Sequence, residues 1–368
     1  MALAILGLLQ RSGSLRFPPP LVWFAVYIAW SAIGALGSPY RDVAMATVIE
    51  RGKVLIITLA AFNALRTRPQ LRLFLVLFVA AFTLVPARAS LFGYLRGYTL
   101  FGRAIGPFIY SNPNYLAAIA LLAFAIGLSL IAGERKKSFI WWCAVAAVPV
   151  LVLLILLTQS RGAFLAIAVF AVPFVIGVVR RRPKALLGFA LLGAMALFAT
   201  PAAVWERLAG IKKLSSVETV AEADKEGSAR ERYTLLMTGL EITRDHPIFG
   251  VGLGAFPYAN ARYNPTMGRR DAHSMYVTIA TETGLPGILF LGLMIGSTFR
   301  AVWRTYRQTA LFLPEQAEQL RILSLGLMAF LIAGLFGTYS NLQFFYLYVA
   351  TVWCFSECLN REFRLAAG

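Results

Sequence analysis

Ten apolar runs, each close to the length that crosses a lipid bilayer as a helix, dominate this chain of 368 residues. They fall at about 21–38, 43–65, 71–87, 113–132, 139–158, 162–179, 184–203, 285–303, 320–338 and 341–358. Inside hydrocarbon, backbone N–H and C=O groups must be satisfied within the protein, and a run of this length does so as a helix. The expected fold is therefore an all-α polytopic membrane protein, a bundle of about ten transmembrane helices. The run at 43–65 is the weakest, because Glu50, Arg51 and Lys53 interrupt it. Its charged beginning is expected to stand outside the hydrocarbon, leaving a helix that starts near Lys53. With 59% hydrophobic and only 14% charged residues, and a mean hydropathy of +0.69, nothing in the composition calls for a large soluble domain.

The formal charge of +18 would suit nucleic acid in a soluble protein, but here its placement decides. Arg11 and Arg16 precede the first run, and Arg66, Arg68 and Arg72 separate the second from the third. Glu134-Arg135-Lys136-Lys137, then Arg180-Arg181-Arg182-Pro183-Lys184, then Arg300, Arg304 and Arg307 follow, with Arg361 and Arg364 closing the chain. Every second connection is basic, which is the pattern of cytoplasmic loops and places both termini inside. No nucleic-acid partner is expected. Cys143, Cys354 and Cys358 lie in apolar runs without zinc-type spacing, so they read as packing residues. The opening MALAILGLLQ is too short to span and reads as an interfacial or truncated helix rather than a signal peptide.

That orientation leaves three outward segments. One is 88–112, where Arg88, Arg96 and Arg103 are interleaved with aromatic residues as in a segment lying at headgroup level. Another is the TQSRG turn at 158–162, and the third is a large loop at about 204–284. The expected division is thus 1–203 and 285–368 as transmembrane helices around a loop at 204–284, all one integrated membrane domain. The early part of the loop, KKLSSVETVAEADKEG, has the polar, charge-mixed composition of a mobile segment. From Ser228 to Gly287 it becomes Gly- and Arg-rich and holds both histidines, His246 and His273. Ser228-x-x-Glu231 has capping-box spacing and predicts a helix with Leu236, Leu240 and Thr243 on one face, ended by Asp245-His246-Pro247. Gly250, Gly252 and Gly254 predict a tight turn. Asp271 is expected to cap a second short helix carrying His273 and Tyr276, which TGLPG at 283–287 then breaks.

Two roles fit His273: a hydrogen-bonding residue at a helix start, or a general base toward a hydroxyl nucleophile, which imidazole can serve near neutral pH. Arg161 either snorkels from a helix end to the interface or offers its fork to a phosphate oxygen. Arg232 stands in a first helical turn, where a cation opposes the macrodipole, so another reason for its position is sought. Ser111-Asn112-Pro113-Asn114 is a helix start in which Asn114 either caps or binds sugar. His246 reads as a turn residue. Glu282 is nine residues past His273, the opposite side of a shared helix, and is expected to pair with a loop arginine. The G-x-G-x-G at 250–254 follows a proline rather than a strand and is no nucleotide fingerprint. Two histidines without clustered outer carboxylates give no expectation of a metal.

Taken together, Arg232, Asp245-His246-Pro247 with Gly250, Gly252 and Gly254, then His273-Ser274-Met275-Tyr276 and Glu282-Thr283-Gly284-Leu285-Pro286-Gly287 form a pattern. It resembles the O-antigen ligase and polymerase superfamily of bacterial envelope proteins, as do SRGAF at 160–164 and PNYLA at 113–117. The resemblance implies 10–12 spans and a metal-independent, inverting glycosyltransferase without a cofactor, in the inner membrane with its active face periplasmic. The donor would be a glycan on undecaprenyl pyrophosphate and the acceptor lipid A core, a protein or another glycan. Arg161 and Arg232 would hold the pyrophosphate and His273 would act on the acceptor hydroxyl. Asn114, Tyr276, Arg88 and Arg103 would be further substrate-binding residues. A polymerase of the same superfamily is the nearest alternative. A flippase for an anionic lipid would need charges deep in its spans and an internal duplication, and a purely structural subunit gives no reason for the loop.

Overall fold

In a computed structural model, residues 14–181 and 228–367 are described. Nine of the ten apolar runs coincide with helices; the run at 184–203, the opening decapeptide and the early loop lie outside the described residues. The helices are α1 (Pro19–Leu36), α2 (Arg41–Ala64), α3 (Arg68–Phe82), α4 (Arg88–Leu95), α5 (Pro113–Gly133), α6 (Phe139–Leu157) and α7 (Arg161–Arg181). After the undescribed stretch come α8 (Ser228–Asp245), α9 (Phe256–Tyr263), α10 (Met275–Thr309), α11 (Pro314–Ala333) and α12 (Gln343–Ala367). The one departure from an all-helical chain among the described residues is a two-stranded hairpin, β1 (Thr99–Leu100) with β2 (Arg103–Ala104). Its two-residue turn places Phe101 and Gly102 at positive φ, the backbone such tight hairpins require. Among the described residues six stretches are long and apolar enough to cross a membrane: α1, α3 continued through α4, α5, α6, α10, and α11 extended to Phe336.

The chain divides into two compact units. The first comprises Met1–Leu71, Asp224–Arg304 and Gly334–Cys358, and the second Arg72–Ala223, Thr305–Ala333 and Leu359–Gly368, each through its described residues. The second is organised around α5, whose spanning window is 78% buried. Its sequence, PNYLAAIALLAFAIGLSLIAG, is apolar on all sides, as a helix enclosed by others must be. It packs chiefly on α6 and α11. Asn112 caps it by accepting the N–H of Asn114 at 2.9 Å, with Pro113 at the first helical position. A five-residue π-helical stretch, Thr83–Ala87, joins α3 to α4 and contains Pro86, whose missing N–H is the reason for the local widening.

In the first unit α2 runs unbroken from Arg41, which corrects the expectation of a start near Lys53. Arg51 is buried at 7% exposure and donates to the Asn341 side chain, 290 residues away, so its charge is housed in protein. Glu50 and Lys53 pair with each other on an exposed side. Helix α8 forms where the sequence places it; it turns Leu235 and Ile242 inward and leaves Leu236 and Leu240 exposed. The helix has apolar residues on two sides, and periodicity alone could not choose between them.

Candidate active site

The site residues of the first unit rest on a small apolar core of Leu235, Ile242, Val251, Ala255, Phe256, Ala259 and Ala272. What ties the Gly-rich loop to this core is a break in α10. Gly284 has φ 71 and ψ −176, and Pro286 has no N–H, so the carbonyls of Thr281 and Glu282 lose their usual helical partners. Val251 N–H donates to Thr281 at 2.8 Å and Gly252 N–H to Glu282 at 3.0 Å, while Leu285 N–H turns to Pro247 at 2.8 Å. The loop therefore completes the broken helix. A Cβ on Gly284 would collide with the Ile248 carbonyl, and one on Gly250 (φ 66) with the backbone of 281–283. Gly284→Ala should cost about 2 kcal/mol or more, read as a lowered Tm of the purified protein; an unchanged Tm would contradict this account of the kink.

Glu282 has a different role from the one its sequence position suggested. Its carboxylate is buried and accepts N–H bonds from Phe256 (3.3 Å) and Gly254, at the N-terminus of α9. It thus caps that eight-residue helix from a distance in the chain, by accepting N–H groups at its start. Helix α9 itself was not foreseen, because Pro257 beside three glycines reads as turn.

The expected helix at Asp271 is also corrected. Helix α10 begins at Met275, with Ser274 accepting from Thr278 N–H at 3.0 Å, so the stronger start signal lies three residues later. His273 stands just before it, at φ 51 in the left-handed region. Such a backbone costs about 1–3 kcal/mol in a non-glycine residue and persists only where its surroundings fix it. Here Ala272 on one side and Met275 on the other are both buried. The imidazole is half-buried, and the charges that act on it are those of Arg232, Asp271, Glu231 and Arg270. Burial first, then the Arg232 guanidinium, holds it below the ordinary histidine range, while Asp271 and Glu231 oppose this in part. Arg232 projects from the first turn of α8, beside Glu231, which pairs with Arg270 at 3.4 Å across an exposed contact. Tyr276, half-buried, follows in the first turn of α10.

In the second unit the structure brings together Arg103 and Asn114. Arg103 donates through Nη2 to Asn114 Oδ1 at 2.8 Å and through Nε to the Thr158 carbonyl at 2.8 Å. It links the start of α5 to the end of α6, where an unsatisfied carbonyl welcomes a cation. Gln159, also at positive φ, donates to the Gly102 carbonyl at 3.0 Å, so the β-hairpin grips the TQSRG turn. Arg161 is the first residue of α7, which that turn launches, and Arg88 is exposed at the start of α4. Sequence reasoning missed this tie, since Arg103 and Thr158 are 55 residues apart.

Helical architecture, with six stretches among the described residues long and apolar enough to cross a membrane, defines a multi-pass membrane protein. Residues 146–292 match the family model described as O-Antigen ligase, so the chain carries a domain of that family of lipid-linked glycan ligases and polymerases. No curated protein matches the chain. The matched stretch contains Arg161, Arg232, His273, Tyr276 and the Gly-rich loop; Arg88, Arg103 and Asn114 precede it.

Proposed function

We propose that this protein transfers a glycan from undecaprenyl pyrophosphate to an acceptor hydroxyl at the periplasmic face of the inner membrane, in the manner of an O-antigen ligase. The observation that carries this reading is a half-buried imidazole on a left-handed backbone beside a guanidinium, inside the matched family stretch. His273 takes the proton of the acceptor O–H as its oxygen attacks the anomeric carbon. The bond from that carbon to the pyrophosphate breaks on the opposite face, inverting the centre, and undecaprenyl pyrophosphate leaves as an anion. Arg232 holds this diphosphate as its charge grows, which a planar fork does better than an ammonium. Arg161, which belongs to the second unit, is proposed as a phosphate-binding residue on its place in the family stretch alone. An imidazole kept below its ordinary pKa is neutral at pH 7 and free to accept the proton.

The test is transfer by the purified protein in lipid nanodiscs, with undecaprenyl-pyrophosphate glycan and separate acceptors, without added metal or nucleotide. Product on lipid A core or protein supports ligation, and chain-lengthened lipid-linked glycan would place the protein with the polymerases. No transfer to any acceptor would overturn the reading.

A further inference from the structure

A cavity of about 380 Å³ opens in the first unit, away from the residues assigned to the reacting centre. Its lining includes Tyr40, Asp245, His246, Val251, Arg262 and Tyr263. The volume falls within the range of small-ligand clefts, about 300–1,000 Å³. The Tyr263 hydroxyl donates to Asp245 at 2.8 Å, which fixes the carboxylate as part of the wall. Burial and this hydrogen bond push the Tyr263 hydroxyl up to about 12, so it remains a donor at any physiological pH. Among the described residues the His246 side chain has no hydrogen-bond partner, although it follows directly on the C-terminus of α8. It is a polar group available to a ligand, not only a turn residue.

The chemistry of this lining differs from that around His273. Asp245 and Arg262 supply one charge of each sign, which gives a diphosphate no advantage. A sugar ring fits better: its C–H face packs on a tyrosine ring, and its hydroxyls both donate to a carboxylate and accept from a guanidinium. The position is equally specific. Arg232 and Asp245 are 13 residues apart on one helix, about 20 Å at 1.5 Å per residue. That is the reach of several linked sugars rather than one.

We propose that the cavity between Tyr40, Asp245–His246 and Arg262–Tyr263 is a distal glycan subsite, holding a sugar ring several residues from the bond being formed. The inference rests on the glycan-transfer reading. It predicts dependence on glycan length, which a merely structural role for these residues would not produce.

The experiment uses the full chain in nanodiscs with wild-type protein, Tyr40→Ala, His246→Ala and the milder Tyr263→Phe. KM and kcat are measured separately for donor and acceptor, each bearing either a single sugar or the full oligosaccharide. The variants should raise KM about tenfold for the long form of one substrate, leave kcat, and leave KM for the single-sugar form. The substrate affected tells whether the ring belongs to donor or acceptor glycan. Saturation-transfer NMR with the oligosaccharide released from the same donor provides a readout independent of turnover: wild-type signal should fall in His246→Ala. A KM for the long forms unchanged from wild type in every variant, with unchanged saturation transfer, would overturn the subsite even if transfer itself occurs. Absence of transfer with saturation transfer intact would sink the enzymatic reading and leave a sugar-binding cavity.

Discussion

His273→Ala should lower turnover by about 10²–10⁴-fold, the usual contribution of a positioned general base, while binding of the lipid-linked donor is retained. The separation follows from the division of labour: the imidazole meets the acceptor hydroxyl, and the diphosphate is held by arginine. The substitution removes the base and leaves the backbone strain at position 273 in place. Alanine at φ 51 is no easier than histidine there, but buried Ala272 and Met275 on either side are expected to hold the segment in its course. A Tm near that of the wild type, measured beside turnover, separates lost chemistry from lost fold. Unchanged turnover would remove His273 from the mechanism.

Arg232→Gln should reduce kcat by about 10²–10³-fold, the scale seen when one donor to a developing anion is removed. Arg232→Lys should recover little, because an ammonium cannot repeat a two-pronged contact with diphosphate oxygens. Arg232→Gln also acts on His273. The guanidinium lowers the His273 pKa, so its removal should move the acid limb of the kcat/KM profile to higher pH. A severe loss without that movement would mean that Arg232 binds substrate but does not face the imidazole.

Much of this architecture was legible because hydrocarbon leaves a spanning chain few options. A run such as Phe139–Leu157 has only one way to satisfy its backbone, and its helix falls where the sequence places it. Breaks were legible for the same reason: Gly284 with Pro286 interrupts α10 within the TGLPG signal. What was not legible depends on partners distant in the chain. Arg51 looked like a charge to be kept in water until Asn341 supplied an acceptor. Glu282 looked like a partner for an arginine, whereas it caps α9. His273 was recognised by its chemistry and misplaced by its backbone, since both Asp271 and Ser274 can start a helix and only packing of the following turn decides. Tyr40 and Tyr263 gave no local signal at all, because the cavity is made by bringing residue 40 to residue 263.

Histidine-labelled protein offers the most direct test of the Arg232–His273 pair, because the chain has only two histidines. Imidazole carbon shifts followed with pH, and assigned through His246→Gln, would give the His273 titration in wild type and in Arg232→Gln. A midpoint below the ordinary imidazole value of about 6.5, moving upward when the guanidinium is removed, is the predicted result. A midpoint at or above that value, unmoved by Arg232→Gln, would contradict a neutral base set beside the diphosphate-binding arginine.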